Sequence, residues 1–203
     1  ATTVNRPPLS LLFGGAATDG KPSEKSAPLK QAAFAGGCFW CMETAFEGLP
    51  GVSEVISGYT GGTLTHPTYE QVSAGKTGHF EAVRVEYDPT KITYEKLLDV
   101  FWRSIDPTDA GGQFIDRGEQ YRSAIFVQDD EERKQAEASK AKLAASKVFK
   151  DPIVTSILPA GIFYDAEDYH QDFYKKSPIR YKYYRYNSGR DQFLETTWGK
   201  TEH

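Results

Sequence analysis

The stretch Gln31-Ala32-Ala33-Phe34-Ala35-Gly36-Gly37-Cys38-Phe39-Trp40-Cys41-Met42-Glu43 changes its hydrophobic period partway along. Its first residues form a short apolar strand at about 32–35. After the Gly-Gly turn, Phe39, Met42, Phe46 and Leu49 recur at the spacing of a helix over about 38–48. Both cysteines of the chain sit at this junction. A helix start offers unpaired N–H groups and the positive end of the macrodipole, which favour a thiolate. Cys38, nearer that start, is expected to be the lower-pKa thiol.

Outward from this unit, Pro50-Gly51 ends the helix and Val52 to Tyr59 reads as a strand. A short helical turn is expected near Tyr69 to Val72. His79 to Tyr87 alternates as a strand, with Glu81 on the face of Val83, Val85 and Tyr87. Thr93 caps a helix whose stripe is Tyr94, Leu97, Leu98, Phe101, Trp102 and Ile105. A loop over 106–119 leads to a strand from Tyr121 to Val127. The order β-α-β-β-α-β predicts an α+β two-layer sandwich with a ferredoxin-like core. A further helix over about 129–149 and a strand from Ile153 to Leu158 extend it. Tyr164 to His203 reads as an irregular, Tyr-rich segment with a short helix near 191–197.

Residues 1–30 are rich in Ala, Pro, Ser, Thr and Gly without a sustained period, and read as a flexible N-terminal arm. Residues 31–203 read as a single catalytic domain. Ala1 in place of Met points to removal of an initiator Met or of a longer leader. The expectation is a soluble protein, either cytoplasmic or exported to the periplasm, and a monomer. No apolar run reaches the roughly 18–20 residues of a membrane span. A formal net charge of −4 argues against nucleic acid as the main partner. The basic, Tyr-interleaved run 175–190 fits a tail packed back on the domain better than a strand-binding surface.

Two cysteines three apart staple almost no chain, so a redox or catalytic pair is the better reading. At i and i+3 their Cβ atoms lie about 5–6 Å apart, and a small relaxation closes a disulfide at roughly 3.5–4.5 Å. Two small buried hydrophobes are the bland alternative. With only four scattered histidines, no metal site is expected. From pattern alone, Glu81 is either a buried, protonated acid or an edge-strand charge paired with Arg84 or Arg122. Asp116, Glu119 and Tyr121 lie in a Gly-rich approach to a strand, where a solvated loop with a packed Tyr explains them as well as a binding site. Trp40, beside both thiols, is a candidate pocket wall, and Phe39 fits a wall or the core.

The run Gly37-Cys38-Phe39-Trp40-Cys41-Met42-Glu43 resembles the signature of the A-type peptide methionine sulfoxide reductases. Gly58-Tyr59-Thr60-Gly61-Gly62, His66-Pro67-Thr68-Tyr69-Glu70 and Gly78-His79-Phe80-Glu81-Ala82-Val83 look like further blocks of that family. So do Asp106-Pro107-Thr108, the run Asp116 to Ser123, and Ala166-Glu167-Asp168-Tyr169-His170-Gln171. The resemblance spans about 31–198 in the family's order. It implies that Cys38 attacks the sulfur of a methionine S-sulfoxide, free or in proteins, and becomes a sulfenic acid. Glu81 supplies a proton to the oxygen, which Tyr69 and Tyr121 also bind. Phe39 and Trp40 hold the methyl group, and Asp116 shapes the pocket. No cofactor is implied, and thioredoxin or a similar dithiol closes the cycle. Many relatives carry Gly where this chain has Cys41, and resolve through cysteines near the C-terminus. Here no cysteine follows Cys41, which leaves Cys41 or an external thiol to resolve Cys38.

Two other readings compete. A thioredoxin-like thiol-disulfide oxidoreductase also uses C-x-x-C at a helix start, but with neither this Phe-Trp dipeptide nor this element order. A tyrosine-rich interaction module would need neither cysteine.

Overall fold

The computed structural model describes residues 28–200. The expected arm therefore lies mostly outside the described residues. The first strand already begins at Lys30, one residue before the expected domain boundary.

Strand β1 (Lys30–Gly36) is followed by helix α1 (Phe39–Phe46), β2 (Val52–Thr60), a short helix α2 (Tyr69–Ser73), β3 (Phe80–Tyr87) and α3 (Tyr94–Trp102). A two-residue hairpin, β4 (Gly112–Gln113) and β5 (Asp116–Arg117), leads through a 3-10 turn at Glu119–Tyr121 into β6 (Ser123–Val127). Next come α4 (Asp130–Ser146), β7 (Ser156–Pro159) and β8 (Phe163–Asp165). A second 3-10 turn (Asp168–His170) precedes α5 (Phe173–Lys176), α6 (Pro178–Ser188) and α7 (Arg190–Trp198).

Six strands form one sheet in the order β7-β6-β1-β3-β2-β8. The inner four, β6-β1-β3-β2, pair antiparallel throughout and make the ferredoxin-like core of an α+β fold. β7 adds parallel to β6, and β8 adds antiparallel to β2. Apolar side chains of β1 and β3 face α1 and α3: Phe34 stacks on Phe46 at 5.1 Å and on Phe101 at 5.2 Å. Thr93 caps α3 by accepting from Lys96 N at 3.1 Å, and the predicted stripe from Tyr94 to Trp102 is buried. The opposite face carries small residues, Ala33, Ala35, Ala82 and Ala124, around the Phe80–Phe126 pair.

The sequence-based expectation departs from the structure chiefly at the C-terminus. Rather than being irregular, this segment carries α5, α6 and α7, with Pro178 opening α6 and Gly189 (φ 85°) separating it from α7. The buried side of these helices is Phe173, Tyr181, Ser188 and Arg190. An apolar period is therefore missing from a genuinely helical stretch. The sixth strand starts at Ser123 because Glu119–Tyr121 forms the 3-10 turn. Helix α4 stops at Ser146, where Lys147 takes a left-handed conformation (φ 57°).

Candidate active site

Cys38 is the N-cap of α1, with extended backbone (φ −56°, ψ 121°), and Cys41 lies in the helix's first turn. The turn closes through Cys41 N donating to Cys38 O at 3.1 Å. Gly37 precedes it at φ 87°, and a Cβ there would fall 2.6 Å from Gln113 Cβ. Only glycine fits both that conformation and that gap. Both thiols are free and buried, and each affects the titration of the other.

The two thiols do not titrate independently. Burial pushes the Cys38 thiol up. Cys41 is pulled down, first by its interaction with Cys38 and then, against its own burial, by the Arg190 and Arg185 cations. Cys38 gains less from the helix terminus because its pocket excludes water and holds the acidic groups Glu81 and Asp116.

Glu81 stands on β3, a central strand rather than an edge, opposite Tyr59 of β2. It is 3% exposed. Arg84 pairs with Asp165 instead, at 3.1 Å, and Arg122 lies over the Phe80 ring. Burial, then Asp116 and Cys41, hold the Glu81 carboxyl well above the usual carboxylate range, against a lowering effect of the Tyr121 phenol. Its surroundings therefore favour the neutral acid over the carboxylate. Burial likewise raises the phenols of Tyr69 and Tyr121, and both feel Glu81, Cys38 and Asp116. The loop residue Asp116 accepts from Tyr184 Oη, and burial raises its carboxyl. All the residues expected at the site except the two aromatic walls thus act on one another electrostatically.

Phe39 and Trp40 sit among aromatic rings. Trp40 stacks on Phe173 at 3.8 Å and meets Tyr184 edge-on at 5.7 Å. Phe39 lies 5.0 Å from His170. These rings, with Tyr69, enclose an apolar wall beside the thiols.

Several neighbours carry no strong sequence signal. Tyr181, Tyr184, Arg185 and Arg190 come from the tail, where only basic-aromatic interleaving hinted at packing. Thr44 Oγ1 donates to Cys41 O at 2.8 Å and lies 2.8 Å from Tyr181 Oη, linking the cysteine turn to α6. Glu43, visible only as the end of the signature, is 1% exposed. It accepts from Ser57 Oγ (2.7 Å) and Asp172 N (2.7 Å). Glu43, Glu47 and Asp172 bring carboxylate oxygens within 4.8 Å of one another. Lys175 binds Glu47 at 2.7 Å, so the cluster is already engaged. Among the described residues no helix is long and apolar enough to cross a membrane.

The family model described as peptide methionine sulfoxide reductase matches residues 30–202. The chain is 59% identical over 169 residues to the peptide methionine sulfoxide reductase MsrA of Bacillus licheniformis, covering 83% of this chain and 93% of that protein. The fold is similar to reduced Mxr1 from Saccharomyces cerevisiae, with a TM-score of 0.70 and 32% identity over 78% of this chain and 92% of the other. Mxr1 in complex with Trx2 also matches, with a TM-score of 0.51 and 25% identity, over 75% and 91% of the two chains. Such a match over nearly all described residues leaves the thioredoxin-like and interaction-module readings without support. The chain belongs to the peptide methionine sulfoxide reductase family and reduces methionine sulfoxide to methionine.

Proposed function

We propose that Cys38 is the nucleophile, Glu81 the proton donor and Cys41 the resolving thiol. Tyr69 and Tyr121 bind the sulfoxide oxygen, Phe39 and Trp40 hold the methyl group, and Asp116 shapes the pocket. The observation that carries this reading is Glu81: a neutral carboxylic acid buried on a central strand beside a buried thiol. Sulfoxide oxygen is a poor leaving group until protonated, and a dry, neutral acid is suited to protonate it.

Protonation of the oxygen by Glu81 places positive charge on the substrate sulfur. That charge draws Cys38 toward thiolate, which its pocket otherwise opposes. The Cys38 sulfur then bonds to the substrate sulfur, and its thiol proton returns to the Glu81 carboxylate. The protonated oxygen passes from the substrate sulfur to Cys38 as the S–S bond breaks; that bond's electron pair stays with methionine, which leaves, and Cys38 is left as a sulfenic acid. Cys41 thiolate attacks that sulfur, the S–S bond forms, and the hydroxyl departs as water after taking a proton. An external dithiol reduces the disulfide. The Mxr1–Trx2 complex supports thioredoxin as that dithiol. The S epimer is the substrate form on this reading, free or in proteins. On this reading the protein is a soluble monomer, in the cytoplasm or periplasm, with 31–203 as one catalytic domain.

The test is mass spectrometry of the reduced enzyme after one equivalent of the S-sulfoxide, without reductant. A Cys38–Cys41 disulfide with one methionine released is expected, and Cys38→Ser should release none. Methionine release by Cys38→Ser would overturn the assignment of the nucleophile.

A further inference from the structure

Glu167 directly precedes the second 3-10 turn, and its carboxylate takes three hydrogen bonds from three parts of the chain. Tyr59 Oη, on β2, donates to Oε1 at 3.1 Å. Tyr69 N, at the first residue of α2, and Tyr169 Oη both donate to Oε2, at 3.3 and 3.2 Å. Among the described residues no cation lies within ion-pair distance of this carboxylate, so neutral donors satisfy it, and bonds to an ionised acceptor are the stronger kind. The bond to Tyr69 is not needed as a cap. Helix α2 is already capped by its own residues: Thr68 Oγ1 accepts from Gln71 N at 3.3 Å, and Gln71 Oε1 accepts from Thr68 N at 2.9 Å. The bond from Glu167, 98 residues away, is a further tether on Tyr69. The carboxylate is itself held in place. Ala166 N donates to Ser57 O at 2.8 Å, and the Gln171 side chain accepts from Ser57 N at 2.9 Å and donates to Ser57 O at 2.8 Å. Ser57 is wholly buried on β2.

We infer that Glu167 is a positioning residue for sulfoxide reduction: by joining the backbone of Tyr69 to the phenol of Tyr59, it sets the Tyr69 hydroxyl relative to Glu81, so that both meet one oxygen. This rests on the oxygen-binding role proposed for Tyr69. Tyr59 supplies the fixed end of the tether, because it is wholly buried and stands opposite Glu81 across the β2–β3 pair. His170 packs on the Tyr69 ring at 4.5 Å, so the segment 167–170 holds Tyr69 by its backbone and by its ring. Glu167 takes no part in the proton or electron transfer. It acts on where the Tyr69 hydroxyl stands, and a donor out of place stabilises less of the charge that changes at the oxygen.

The experiment is a double-mutant cycle on the reduction step, read as methionine released in a single turnover at saturating methionine sulfoxide. Tyr69→Phe and Glu167→Ala should each slow the step about tenfold, the worth of one hydrogen bond made in the transition state. Substrate affinity should change less. In the double variant the rate should stay within about twofold of Tyr69→Phe, because Glu167 acts through a hydroxyl that is already gone. Losses that multiply, to about a hundredfold, would overturn the inference. Glu167→Gln keeps an oxygen for Tyr69 N and an amide for Tyr59 Oη, and should recover most of the rate. A rate as low as that of Glu167→Ala would overturn the tether. Tyr59→Phe cuts the other end of the same tether while keeping the buried ring, and so gives a second cycle that does not depend on Glu167→Ala folding. It should slow the step in the parent and add nothing to Tyr69→Phe; losses that multiply there, or no loss at all, overturn the inference too. A parent rate in Tyr69→Phe would overturn the oxygen-binding role itself. A slow Tyr69→Phe beside a parent rate in Glu167→Ala would overturn only the part assigned to Glu167.

Discussion

Trp40 Nε1 donates to His170 Nδ1 at 3.1 Å, across 130 residues of chain. The acceptor role at Nδ1 places the imidazole proton on Nε2, and burial holds His170 below its ordinary pKa, so the ring stays neutral. Through this bond the second 3-10 turn fixes the indole that walls the substrate pocket. The same imidazole packs 4.5 Å from Tyr69. One histidine therefore orients the proposed methyl-binding wall and a proposed oxygen-binding phenol together.

His170→Ala should leave the buried indole N–H without a partner, at a cost of about 1–3 kcal/mol in stability. The looser wall should raise KM for methionine sulfoxide roughly tenfold, with a smaller change in kcat, a shift worth about 1.4 kcal/mol. His170→Asn keeps an acceptor and should recover part of the loss. Steady-state kinetics of both variants check this, and an unaltered KM in His170→Ala would show that the indole needs no such support.

Glu81 should set the alkaline limb of activity. Its raised carboxyl keeps the proton to higher pH than an ordinary carboxylate, so turnover should fall on the alkaline side as the group ionises. Glu81→Gln should slow sulfoxide reduction by roughly 10²–10⁴-fold at neutral pH and abolish that limb. Single-turnover rates against pH read both effects. Retention of the limb in Glu81→Gln would assign it to another group.

Most of the fold was legible because the apolar periods of β1, β3 and α3 match their buried faces. Glu81 was half legible: the pattern placed it on the apolar face, but strand order alone could not distinguish a centre from an edge. The pairing of β3 with both β1 and β2 decides it. The tail was not legible, because α6 and α7 bury tyrosine, serine and arginine, which a hydrophobic period does not register. For the same reason Arg190, Tyr184 and Arg185 stayed hidden. Their importance comes from the turn they pack against rather than from any spacing of their own. The titration of the thiols also needed the structure, since helix position favoured a Cys38 thiolate while burial opposes it and the two arginines act on Cys41.

Cys41→Ser should separate reduction from recycling. Its Cys38 still meets Glu81, so a burst of about one methionine per enzyme is expected by the stoichiometry of a single sulfenic acid. Turnover with thioredoxin should then stall, and a thiol-reactive sulfenic acid probe should label Cys38. Full thioredoxin-driven turnover in this variant would remove Cys41 from the cycle.

Glu43 should couple stability to pH. Its carboxyl is pushed up to about 7 by burial, against the lowering effect of Ser57 and Asp172 N, from about 4.3 in the unfolded chain. The folded state thus binds this proton more tightly than the unfolded state does. The associated stability is fully present below about 4.3 and is lost as pH rises through about 7, a change on the order of 4 kcal/mol at most. Glu43→Gln carries no titrating group there, while its amide can donate to Ser57 and its carbonyl can accept from Asp172 N. Denaturant unfolding of the two proteins across this window should show a downward slope in the parent and a flatter one in the variant. Equal slopes would mean that the clasp between α1, β2 and the C-terminal segment does not titrate.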